Sequence, residues 1–188
     1  MKKIVANLAL SLVLALVALI LLSWLMSATM TEGVRSLLSS EGIRWFFGHF
    51  SDMMLRPQLV WLLVMAMAWG AFKQSGMTLA IGRKMRMFLL ILLSLYVGVI
   101  LLLTIIPHAV LLSATGTLWP SPFSRALIPI VAFGVTMLSI VYGLLTGSFR
   151  SPSAVCQALS WGIGSCAPLF LLYILFMQFY ESLRFVFA

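Results

Sequence analysis

Few side chains in this sequence can make or break bonds. It holds two histidines, two cysteines and four acids in 188 residues. His49 and His108 stand far apart, and no H-E-x-x-H, C-x-x-C, G-x-S-x-G or phosphate-loop pattern occurs. His108 follows Pro107 at the end of an apolar run and reads as an interfacial histidine, not a metal ligand. Cys156 and Cys166 lie ten residues apart, which on one helix is roughly 15 Å, beyond the roughly 7 Å a disulfide bridges. They read as two small apolar residues. Intramembrane catalysis calls for paired acids, a metal trio or a Ser/His pair at depth, and no Asp, Glu, His, Lys or Arg falls in the middle of any apolar run. The expectation is no enzyme, no catalytic residue, no metal and no cofactor. Proton relays in carriers commonly use intramembrane Asp, Glu or His, so that route is closed as well.

What remains at depth is hydroxyl and amide chemistry: Ser11, Ser94, Thr104, Thr136, Ser139, Gln157, Ser160, Ser165 and Gln178. Single hydroxyls in membrane helices mostly join helix to helix. One cluster is different. Ser160, Gly162, Gly164, Ser165 and Pro168 form a small, polar, breakable patch, and discontinuous helices of this kind bind substrates and ions in transporters. Ser160 and Ser165 are therefore candidate substrate contacts. Close helix packing with a proline kink is the competing reading of the same residues.

The elements that must hold these residues follow from composition. Apolar residues make up 63% and charged residues 9%, with mean hydropathy +1.15. Soluble domains carry about 45–50% apolar and about 25% charged residues, so a soluble globule is excluded. The expected class is an all-α integral membrane protein. A spanning helix needs roughly 20 apolar residues. Five spans are expected, at about 4–26, 58–80, 87–106, 126–145 and 153–180, in a single membrane domain covering 1–188. The first run is longer than the apolar region of a signal peptide and lacks a good cleavage site, which favours an uncleaved span. The second has only 14 strongly apolar residues, 59–72, and needs residues 76–81 to extend it; alone it would suit a re-entrant or interfacial piece. The fifth, with its glycines and Pro168, is expected to be kinked or partly unwound.

Charge orients the spans. With the N-terminus in the cytoplasm, the inner side holds Lys2, Lys3, Lys73, Arg83, Lys84, Arg86 and Arg150 and no acid. The outer side holds Arg35, Arg44, Arg56, Arg125 and Arg184 with all four acids, Glu32, Glu41, Asp52 and Glu181. This is the positive-inside pattern, and it accounts for the net charge of +8 without a nucleic-acid partner. The acid-free inner face suits a bacterial-type inner (plasma) membrane with anionic lipid. Trp24, Trp45, Trp61, Trp119 and Tyr180 fall near the expected interfaces. Between the first two spans, Ile43, Phe46, Phe47, Phe50, Met53 and Met54 recur at helical spacing. An amphipathic surface helix is expected over 40–55, capped by Ser40 with Glu41 in its first turn. It would lie on the outer membrane surface, or pack over the bundle as a lid.

Specific strings add to this. Ser39-Ser40-Glu41-Gly42-Ile43-Arg44-Trp45 resembles the stretch after the first span of the p-aminobenzoyl-glutamate transporter (AbgT) family. So do, in order, Ile106-Pro107, Thr115-Gly116-Thr117-Leu118, Ser121-Pro122-Phe123, Tyr142-Gly143, Thr146-Gly147 and Gln178-Phe179. The resemblance covers most of the chain, weakly around 60–105. It implies a transporter fold with a dimer-forming scaffold and an outer, substrate-carrying part built on two re-entrant hairpins. Family members are far longer. Here only residues 73–86 separate the second span from the third, too few for such a hairpin plus spans, and Tyr180-Glu181-Ser182-Leu183 stands where the family shows an Asn/Trp/Ser-rich motif. Of the family's substrate-site residues, only Gln178 carries over as a candidate. The expectation is a reduced, scaffold-like family member that forms a homodimer and is no self-sufficient carrier. The alternatives are one half of a split transporter and an accessory subunit of another membrane complex that docks through residues 40–55.

Overall fold

The computed structural model describes residues 2–29, 33–77, 82–105 and 121–187. Seven helices follow in order: α1 Lys2–Ala28, α2 Ser40–Gly48, α3 Phe50–Met54, α4 Pro57–Ser75, α5 Arg83–Ile105, α6 Pro122–Thr146 and α7 Pro152–Val186. The protein is an all-α membrane protein. Four of the described helices, α1, α5, α6 and α7, are long and apolar enough to cross a bilayer. Pro107, His108, Trp119 and the Thr115–Leu118 string lie outside the described residues.

α4 is the short one. Its 19 residues begin with Pro57-Gln58 and end with Lys73-Gln74-Ser75, leaving the 14-residue apolar run between them. The helix stops at Ser75, short of the expected 80. Gly76 takes φ +69°, a left-handed conformation that ends helices, and the Ser75 hydroxyl accepts from the Met77 N–H at 3.3 Å.

Contacts divide the chain into two compact units. One comprises residues 61–165. In it α4 meets the first part of α7 through small residues at four-residue spacing, Ala66 and Gly70 against Ala158 and Gly162, all buried. A Cβ on Gly70 would lie 2.7 Å from the Gly162 Cα, so the backbones touch. Where lipid is as apolar as the side chains, close packing of this kind is what joins helices. α5 is tied to α6 by the Tyr96 hydroxyl, which donates to the Ile130 carbonyl at 2.7 Å, while Gly134 leaves room for the Tyr96 ring. α6 starts earlier than expected. Ser121 and Ser124 form a reciprocal capping box around Pro122, which places Pro129 inside the helix, not in its first turn.

The other unit comprises residues 1–60 and 166–188. Leu19 of α1, Leu37, and Phe185 and Val186 of α7 form its core, with Trp45 and Phe46 packed against them. A second cluster joins Met53, Met54 and Met177. The Arg35 N–H donates to the Val186 carbonyl at 3.0 Å, and the Leu37 N–H to the buried Ser23 hydroxyl at 3.2 Å.

Three local expectations are corrected. The surface helix is two helices, because His49 at φ −98°, ψ 7° interrupts it between α2 and α3. Its cap is Ser39, not Ser40: the Ser39 hydroxyl accepts from the Gly42 N–H at 3.0 Å, and Glu41 lies in the first turn as expected. Ser39→Ala is therefore expected to cost about 1 kcal/mol and speed amide exchange over 40–48, with Ser40→Ala near neutral. Third, α7 is continuous through Gly162, Gly164 and Pro168. The missing Pro168 N–H forfeits one bond to the residue-164 carbonyl without unwinding the helix.

Candidate functional site

The candidate contacts named from the sequence do not converge on any described cavity. Ser160 and Ser165 are exposed on α7, and the Ser165 hydroxyl donates back to the Gly162 carbonyl at 2.9 Å. Such i−3 back-bonding occupies the hydroxyl locally. Gln178 differs. It is 4% exposed, and neither its amide oxygen nor its amide nitrogen has a hydrogen-bond partner among the described residues. Ser182, one turn on and fully buried, also has an unpartnered hydroxyl, as does Tyr173. Buried polar groups are nearly always partnered, so this stretch of α7 stands apart from the apolar surface around it.

A polar cavity lies in the same unit, where α2 faces the end of α7. It encloses about 450 Å³ and is lined by Arg35, Glu41, Arg44, Trp45, His49, Glu181, Arg184 and Phe185. The amphipathic pattern of α2 explains this lining. At 100° per residue, Glu41, Arg44 and Trp45 share one face of α2, with His49 at its C-cap, and Ile43 and Phe47 lie on the opposite one. The polar face meets α7, where Trp45 stacks on Phe185 with centroids 4.4 Å apart. The apolar face stays open, with Phe47 75% exposed.

Glu181 anchors the cavity. Its side chain is 11% exposed, paired with Arg56 and with Arg184 at 3.6 Å. Arg35 sits 4.0 Å from Glu41 and 6.0 Å from the Phe185 ring centroid. Arg44 has no ion-pair partner among the described residues. Sequence reasoning missed this cavity because Arg35 and Arg184 are far apart along the chain. The available signal was arginine beside acid in both stretches, Arg35, Glu41 and Arg44 in one and Glu181 and Arg184 in the other.

A second cavity, in the other unit, is apolar. It encloses about 480 Å³ between α4 and α6, lined by Met65, Trp69, Phe72, Leu127, Val131 and their neighbours. Among the described residues, no group of three or more His, Cys, Asp or Glu side chains could hold a metal ion.

No family model and no curated protein sequence matches the chain. A solved structure does: the crystal structure of the YdaH transporter of Alcanivorax borkumensis, at TM-score 0.81 and 14% identity. The match covers 93% of this chain and 70% of that one. The fold is similar to that of a transporter. At this identity the likeness speaks for the fold, and it extends over nearly all of the chain, including the weakly resembling stretch around 60–105.

Proposed function

We propose that this chain is a reduced relative of the AbgT transporters, a scaffold-like homodimer in a bacterial-type inner membrane that does not carry substrate by itself. The observation that carries the reading is a transporter fold over 93% of the chain combined with helices that are charge-free at depth. Every lysine, arginine and acid of α1, α4, α5, α6 and α7 stands near a helix end, so no carboxylate or charged side chain is placed at depth to couple transport to a proton. Only residues 76–82 join α4 to α5, which leaves no room there for a re-entrant hairpin. Gln178, buried and without a hydrogen-bond partner among the described residues, is the proposed substrate contact; Ser160 and Ser165 have weaker support.

Two measurements test this reading. The protein in mild detergent should show a native mass of twice 20.8 kDa; a strict monomer in detergent and in bilayers overturns the dimer. Proteoliposomes holding this chain alone should take up labelled p-aminobenzoyl-glutamate no faster than empty ones; saturable uptake overturns the scaffold reading. Uptake only with a partner chain present would establish the split-transporter alternative.

The proposed orientation has its own test. With Cys156 and Cys166 replaced by serine, Gly82→Cys beside the Arg83-Lys84-Met85-Arg86 cluster should be labelled from the cytoplasmic side only. Labelling from outside would mean that α4 does not cross.

If the chain instead docks another protein through residues 40–55, Phe47 and Phe50 are the residues to change. Phe46 packs against the Leu19–Val186 core, so Phe46→Asp would disturb folding as well as docking.

A further inference from the structure

We propose that the cavity between α2 and the end of α7 binds a phosphate group, held by Arg35, Arg44 and Arg184. Three arginines line one cavity, and the two acids that share it do not exhaust them. Glu181 is held by Arg56 as well as by Arg184, while Glu41 is mostly exposed and only 4.0 Å from Arg35. Arg44 is left without an ion-pair partner among the described residues, on the face of α2 that lines the cavity. An exposed arginine that lines the cavity with no acid to pair is free to take an anion from elsewhere.

The chemistry points to phosphate. One guanidinium satisfies both oxygens of a carboxylate through a bidentate pair. Three arginines lining one cavity from two separate segments and a helix end suit a group with more oxygens, directed to different sides. The volume of about 450 Å³ exceeds a bare phosphate, and the stacked Trp45 and Phe185 rings supply an apolar wall for the rest of an ester. The opposite face of α2 exposes Ile43 and Phe47, which would bed in lipid and set the cavity at headgroup depth. The phosphate can therefore come from an anionic lipid headgroup or from a soluble phosphate ester.

The test uses the full chain. Native mass spectrometry after release from nanodiscs of phosphatidylcholine with or without phosphatidylglycerol reads lipid retention. Calorimetric titration of the detergent-solubilised protein with glycerol 3-phosphate reads the soluble source. Wild type should retain phosphatidylglycerol over phosphatidylcholine, or bind glycerol 3-phosphate saturably; the first outcome assigns the headgroup, the second the soluble ester. Arg44→Gln, which breaks no ion pair among the described residues, should weaken whichever binding is seen by about tenfold, and Arg150→Gln in the other unit should not. Circular dichroism verifies that each variant is folded. Binding of neither probe, or binding unchanged in folded Arg44→Gln, overturns the proposal.

Discussion

Gly162→Leu is expected to lower the thermal midpoint of the detergent-solubilised protein by on the order of 5–10 °C, whereas Gly164→Leu, two residues away, should leave it nearly unchanged. The contrast is steric. A Cβ at position 162 would run into the Ala66 carbonyl and lie 2.7 Å from the Gly70 Cα, so α4 and α7 must separate to admit any side chain. At position 164 a Cβ would meet nothing within 4 Å. Overpacking costs about 1–3 kcal/mol, and in a chain of this size each kcal/mol moves the midpoint by about 2–4 °C. The crossing has little else to recover, because helix association in lipid rests on close van der Waals contact. Gly70→Leu should behave like Gly162→Leu. Equal midpoints for Gly162→Leu and Gly164→Leu in a thermal-shift or size-exclusion assay would remove the α4–α7 contact as a stabilising feature.

The second large effect is expected at Glu181. Arg56→Ala should destabilise the unit formed by residues 1–60 and 166–188 by about 2 kcal/mol, because it takes a partner from a nearly buried carboxylate. Arg184, at 3.6 Å and mostly exposed, compensates only in part. Adding Glu181→Gln to Arg56→Ala should return a good share of the loss, since a neutral amide needs no counter-charge. Each single variant and the double variant, measured as a thermodynamic cycle, give the coupling. A coupling near zero would mean that the Arg56–Glu181 pair behaves as an ordinary surface pair. Arg56 closes the corner between α3 and α4, and the pair fastens that corner to α7, so loss should also raise protease cleavage near residue 56.

Much of the architecture was legible because lipid imposes strict terms on a sequence. A bilayer admits helices of a set length with charge at their ends, so the apolar runs of α1, α5, α6 and α7 could be read directly. The helical spacing of Ile43, Phe46, Phe47 and Phe50 likewise announced a surface helix with two unlike faces. Its cap was misplaced by one residue because Ser39 and Ser40 are equivalent as residue types; only the backbone, extended at Ser39, decides which one precedes the first turn. The break at His49 has no composition signature either. In α7, two glycines and a proline read as a break, yet the helix is continuous. Gly162 is there to let α4 approach, a reason that sits on another helix and leaves no mark in the local sequence.

The charged cavity shows the same division more sharply. The sequence alone determined that this is a helical membrane protein, where its helices begin and end to within about two turns, and that no Asp, Glu, His, Lys or Arg lies at depth in its long helices, because hydrophobic length and charge are local quantities. Which arginine meets which acid was decided by tertiary structure. Arg56 and Glu181 stand 125 residues apart in the chain, and Arg44 and Arg184 line one cavity only because Trp45 stacks on Phe185 and brings α2 to the end of α7. Pairings of that kind depend on packing between distant segments, and no periodicity within either segment encodes them.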